Sequence, residues 1–188
     1  MIPAELSAYA ALVQQVSVIF QPKAWADEVV CIAWLDQFQN ETSSLGDRLL
    51  GMDGHGSQMT SIFRDLMRQY LIHPVYTPPN CTDVVAPVDH HVGRKLKGLI
   101  EDFYHAAMAI NRDAWCNPPG IHGGLEAWER RVLMTCWVAR AWAIIQSDYQ
   151  HLLRSAFITT GFLLAMDGSE NNLVKIPGVA NYDLTKVY

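Results

Sequence analysis

Two aspartates, Asp53 and Asp89, are the residues of this 188-residue chain whose type and spacing point most directly to chemistry. Asp53 closes the apolar run Arg48-Leu49-Leu50-Gly51-Met52 and precedes Gly54-His55-Gly56. A carboxylate so placed stands at the carboxyl end of a strand, where open α/β sheets put their ligands. Asp89 follows Pro87-Val88 and opens a helix 36 positions later. An intervening helix and second strand return the chain to the same edge of the sheet, so the spacing lets the two carboxylates approach each other. Paired carboxylates beside a phosphate substrate suit Mg²⁺ or Mn²⁺, because hard cations take oxygen ligands, and two such ions clamp both oxygens of an in-line displacement. On spacing alone, a turn role for Asp53 and an N-cap role for Asp89 are the commoner uses of aspartate.

Other residues are weighed in the same way. His55, His90 and His91 flank the two acids and would convert them to a mixed His/carboxylate metal site, yet adjacent histidines on a helix face different directions and mostly meet solvent. Arg94, Lys95 and Lys97 form a basic strip one turn past Asp89, able to meet a phosphate backbone, although a solvated helix face is the ordinary reading. Trp115, Trp128, Trp137 and Trp142 lie among Leu, Val and Ile in helical segments and read as core rather than base-stacking platforms. Cys31, Cys81, Cys116 and Cys136 are too widely spaced for a C-x-x-C site and read as reduced, mostly packed thiols.

The elements that must position these residues follow from periodicity. Residues 4–16 read as a helix, and Val16-Ser17-Val18-Ile19-Phe20 as a short strand. Val29, Ile32, Ala33, Leu35 and Phe38 mark an amphipathic helix over 27–39, with Asp27 and Glu28 in its first turn. After a polar loop over 40–46, a strand over 48–53, a helix over 59–71 and a strand over 73–76 form a parallel pair with a helical crossover. Pro78-Pro79 then breaks regular structure. Helices are expected from Val92 to Tyr104, Leu125 to Ile145 and Tyr149 to Phe157, with a loosely packed tail from Asp167.

Composition bounds the function. The chain is long enough for one ordinary core, and its 50% hydrophobic residues are interrupted by charges before any bilayer-spanning run develops. The start lacks the signal-peptide and transit-peptide patterns, which argues for an intracellular protein. Residues 1–88 carry four basic against nine acidic residues, while residues 89–188 carry ten of each. The acidic first half argues against a bulk electrostatic DNA binder and leaves room for a local basic strip or a metal-bridged contact.

Read together, Gln21-Pro22-Lys23-Ala24-Trp25 with Trp34-Leu35, Leu49 to His55, Tyr76 to Thr82, Ala86-Pro87-Val88-Asp89 and Leu96-Lys97 resemble the DDE superfamily endonucleases. The resemblance is to the transposase branch with the pogo, Tigger and jerky types, and covers residues 17–105. It implies an α/β, RNase H-like but partial mixed sheet within a single truncated domain over 1–188, extended by helices over 106–166 and a tail over 167–188. It implies Asp53 and Asp89 as the second and third acids of a triad, both metal ligands for Mg²⁺ or Mn²⁺. DNA is the implied partner and the nucleus the implied location. No residue matches the family's first acid: Glu5, Asp27 and Glu28 all sit in helical segments. Gln58 stands where the family usually has His. The resemblance therefore implies nucleic-acid binding with at most residual metal-dependent cleavage. The alternatives are an inactive domesticated remnant serving as an interaction module, or a gene-model fragment of an active transposase. An exposed sheet edge would be covered by a second copy or a partner chain.

Overall fold

The computed structural model describes residues 3–10 and 16–179. These fall into two compact units, one formed by residues 19–90 and the chain from 156 onward, the other by the chain up to 18 and residues 91–155.

In the first unit, α2 (Glu28–Thr42) leads through a 3₁₀ turn (Ser43–Leu45) to β1 (Arg48–Met52), then α3 (Ser61–Gln69), β2 (Ile72–Tyr76) and the short α4 (Thr82–Val85). β1 and β2 are parallel, in a register that pairs Arg48 with Ile72 and Met52 with Tyr76. Chain connectivity explains the arrangement, because parallel neighbours need a crossover and α3 supplies it. Cys31 and Leu35 from α2, Met52 from β1, Phe63 and Met67 from α3 and Ile72 from β2 make the buried core. Full burial of each large apolar side chain is worth roughly 1.5–3 kcal/mol, so this cluster dominates the unit's stability. On the other face of β1, Gly51 lies under Phe162, whose Cε1 would stand 2.7 Å from an added Cβ. Glycine is required there by close approach.

Arg48 is buried at the start of β1. Its Nη1 donates to Thr42 Oγ1 at 2.7 Å, and its Nη2 donates to Gln39 Oε1 at 2.8 Å and to the Tyr70 carbonyl. These acceptors lie at the carboxyl ends of α2 and α3, where the helix dipoles favour a cation. Tyr70 adds a second tie between the helices by donating its hydroxyl to Asp36 at 2.8 Å, and this bond to a carboxylate is the main reason the phenol titrates above its ordinary range.

The second unit holds α1 (Pro3–Ala10), α5 (Gly93–Ile110), α6 (Arg112–Cys116), α7 (Ala127–Asp148) and most of α8 (Gln150–Thr159). Tyr104 of α5 meets Trp115 of α6 and Trp137 of α7 edge-on, and the two indoles stack at 5.3 Å between centroids. Those two tryptophans are packing residues, whereas Trp142 is exposed. Among the described residues no helix is long and apolar enough to cross a membrane.

Several expectations are corrected. Residues 16–20 take no part in the sheet, and Val18, Ile19 and Phe20 are exposed; β-branched composition does not make a strand without a ladder partner. The helix expected over 4–16 is described as far as Ala10, and residues 11–15 lie outside the described set. In α2 the buried residues are Cys31 and Leu35, while Val29 is exposed. The polar loop begins later than expected, because α2 runs on to Thr42. Of the cysteines, Cys31 is buried and Cys116 exposed, all four free. In the tail, Asn171–Leu173 form a 3₁₀ turn and Val174 is buried, with 180–188 outside the described residues.

Replacing Arg48 by Met strands the Tyr70 carbonyl and leaves the ends of α2 and α3 without their shared donor. The expected loss is roughly 2–3 kcal/mol in urea unfolding, with Arg48→Lys, which keeps the charge but not the fork, losing less.

Candidate functional site

β1 delivers Asp53 to its carboxyl end, where the side chain is exposed. The turn after it is built locally. Gly54 takes a left-handed backbone, φ +72°, that strains any residue with a Cβ. The His55 amide donates to Asp53 Oδ1 at 3.3 Å and to Gln58 Oε1 at 3.2 Å. His55 in turn caps the following 3₁₀ turn (Gly56–Gln58): its Nδ1 lies 2.7 Å from the Ser57 hydroxyl and accepts the Ser57 amide at 3.4 Å. Ser57 also donates to the Ala26 carbonyl at 3.0 Å and lies 3.3 Å from Cys31 Sγ, tying the loop to the start of α2. Gln58 therefore completes a capping box that orients the amide bound to Asp53.

Register links the acid to the next strand. The Thr77 amide donates to the Met52 carbonyl at 2.8 Å, so the pairing runs one bond beyond β2. Thr77 is only 7% exposed, and its hydroxyl has no hydrogen-bond partner among the described residues. A buried hydroxyl left unbonded costs about 1–3 kcal/mol, so this side chain keeps unused hydrogen-bonding capacity at the strand end. From here Pro78-Pro79-Asn80 turns the chain, with Asn80 left-handed at φ 60°, into α4.

Asp89 lies in a π-helical turn, Val88–Val92, that runs directly into α5. Its side chain is exposed, and no hydrogen bond or ion pair engages it among the described residues. Asp53 and Asp89 belong to the same unit, whereas Arg94, Lys95 and Lys97 belong to the other. Arg94 and Lys97 are exposed, and Lys95 places its Nζ 4.1 Å over the Tyr149 ring. The His90 side chain lies outside the described set. No group of three or more His, Cys, Asp or Glu able to hold a metal ion occurs among the described residues, so the mixed His/carboxylate arrangement is not formed there.

The carboxylates considered as a further acid are mostly committed elsewhere. Glu5 is 1% exposed and receives both Arg131 Nε, at 2.8 Å, and Arg131 Nη2, at 3.0 Å. This bidentate pair ties α1 to α7, and its hydrogen bonds raise the Arg131 pKa further above its ordinary value. Asp27 is the N-cap of α2, accepting the Val30 amide at 3.1 Å and the Gln21 side-chain amide at 2.9 Å. Those two bonds, the first the larger, hold its pKa below the ordinary aspartate value. Glu28 stands in the first turn of α2, where a negative charge suits the helix dipole.

The fold is thus a mixed α/β chain, mostly helical, whose small parallel sheet presents an acid at a strand end. The family model of the DDE superfamily endonucleases matches residues 9–148, about three quarters of the chain, and the chain belongs to that family. Its members generally use divalent metals. No curated protein and no solved structure matches the chain.

The sequence singles out Asp53 and Asp89 as candidates, but its spacing does not point to the buried Thr77 hydroxyl or to the bonding of Ser57 and Gln58. Thr77 was legible only as the residue beyond a strand, and its burial depends on packing distant in sequence. Thr77→Val, which removes the orphan hydroxyl, is expected to raise the urea midpoint by about 1 kcal/mol of stability; a fall would mean that a bound water or ion satisfies the hydroxyl. For Asp27 the folded pKa lies below the unfolded one. Its contribution is therefore complete above the unfolded value of about 3.9 and is lost as pH falls through the folded value. Urea midpoints measured from pH 6 to pH 3 should fall less steeply in Asp27→Asn than in the unsubstituted chain.

Proposed function

We propose that this chain is a transposase-derived DDE endonuclease-like domain of RNase H-like ancestry, related to the pogo, Tigger and jerky types, that binds DNA in the nucleus and retains at most residual cleavage. The observation that carries this reading is the exposed Asp53 carboxylate at the carboxyl end of β1, with the register-matched Thr77 hydroxyl unbonded beside that strand end.

Asp53 and Asp89 take the positions of the family's second and third acids. The donor set suits a hard cation: two exposed carboxylates and one neutral hydroxyl, all oxygen. It supplies two negative charges, which balance one Mg²⁺ or Mn²⁺ and fall short of the roughly +4 of a two-ion centre. No residue of the sequence takes the first-acid position, and Glu5 and Asp27 are engaged by Arg131 and by the α2 amide end. A bound ion would polarise a phosphate oxygen and activate water. The chain's own residues hold the ligands in place: the His55 amide fixes one oxygen of Asp53, and Gln58 and Ser57 fix the loop that presents that amide. Arg94, Lys95 and Lys97 supply cations for the phosphate backbone, which position a strand without reading its sequence.

A second reading, an inactive remnant acting as an interaction module, is favoured by Leu49, 75% exposed on the sheet face where Phe162 lies over Gly51. Parallel sheets are ordinarily covered on both faces, by a second copy or a partner chain where the fold itself leaves one open. Calorimetry with Mn²⁺ separates the two. The unsubstituted chain is expected to bind one ion, and the Asp53→Asn/Asp89→Asn variant to bind at least tenfold more weakly. Equal binding by both, or binding by neither, removes the metal site and leaves the interaction reading standing.

A further inference from the structure

Gly98 lies in the interior of α5, where glycine is the poorest choice after proline. Close packing usually explains such a residue, but a Cβ added at Gly98 meets nothing within 4 Å. The protein's described packing therefore does not call for glycine there. The open space belongs to a groove of about 330 Å³ within the helical unit, at the lower end of the range for small-ligand sites.

The lining of the groove is ordered by charge. Arg94 and Lys95 lie one turn before Gly98, Leu99 and the α8 residue Leu152 are apolar, and Asp102 lies one turn after. The spacing 94, 95, 98, 99 and 102 follows one stripe of a helix, and Arg94 to Asp102 spans roughly 12 Å of axis. Lys95 is held over Tyr149. Arg94 and Asp102 have no hydrogen bond or ion pair among the described residues, whereas Glu101, also at the acidic end, lies 3.6 Å from His105. A ligand matching this order carries an anion, a flat apolar body and a hydrogen-bond donor.

We propose that this groove takes one nucleotide unit, free or within a DNA strand, with Arg94 on the phosphate, the sugar and base over Gly98 between Leu99 and Leu152, and Asp102 accepting the exocyclic amino group of cytosine or adenine. The assignment rests on the DNA-binding reading above and adds a base preference to it. Carboxylates accept from the amino group of cytosine, and thymine offers no such group.

The test is fluorescence anisotropy with labelled single-stranded octamers of deoxycytidine, deoxyadenosine or thymidine, together with calorimetry using cytidine monophosphate. Gly98→Leu fills the groove with a better helix former, so its melting temperature is expected to stay level or rise while strand affinity falls at least tenfold. Arg94→Ala should weaken all three octamers alike and reduce the salt slope by about 0.7. Asp102→Ala, which removes the acceptor, should abolish the preference for deoxycytidine and deoxyadenosine over thymidine. Cytidine monophosphate bound by the unsubstituted chain but not by Gly98→Leu assigns the site to free nucleotides as well. Undiminished strand binding by Gly98→Leu overturns the groove and leaves the DNA reading intact, and an unchanged preference in Asp102→Ala overturns the base contact. Failure of the unsubstituted chain to bind either octamers or cytidine monophosphate overturns both.

Discussion

A buried guanidinium with no carboxylate partner among the described residues organises the unit that carries Asp53 and Asp89. Among the described residues, the oxygens that Arg48 meets are neutral ones, from Thr42, Gln39 and Tyr70. Removing a charge from water costs several kcal/mol, so the arrangement holds only because two helix ends and three acceptors converge on it. The Nε remains buried without a partner among the described residues. This constraint fixes where α2 and α3 end and where β1 begins. β1 spans only five residues, or roughly 17 Å, so fixing its start also fixes its end, where Asp53 stands.

The two ends of β1 therefore answer to opposite demands. At the entrance, polar groups are consumed by packing. At the exit, the Asp53 carboxylate shares a single amide with Gln58, and the Thr77 hydroxyl is unbonded among the described residues. The same division separates the acids of the chain. Glu5 and Asp27 are bonded by Arg131 and by the α2 amide end, while Asp53 and Asp89 remain exposed.

Much of this unit was legible in the sequence, because its signals are local. The apolar run ending at Asp53, the periodic stripe of α3 and the Pro78-Pro79 break each dictate one element, and strand–helix–strand connectivity dictates the parallel pair. Val16 to Phe20 misled for the opposite reason: its composition suits a strand, but a strand needs a partner that composition cannot supply. Arg48 was read only as the head of an apolar run, since its partners lie 6 to 22 residues away and meet it only in the folded chain. The π-helical turn holding Asp89 was also invisible, because periodicity arguments assume 3.6 residues per turn and this turn departs from it.

That turn bears on the chemistry. The commoner use of an aspartate that opens a helix is as its N-cap, in which case its carboxylate would be spent on the helix's own amides. A π-helical turn ahead of α5 removes that demand, since Val92 precedes α5 with helical backbone angles and no side chain caps it. The Asp89 carboxylate is thereby left exposed rather than consumed. Wide helical turns cost hydrogen-bond geometry and recur at functional sites, where a side chain must be presented rather than packed. The commonest structural use of an aspartate at this position is thus excluded by the local backbone, and what remains of its chemistry is an oxygen donor facing solvent.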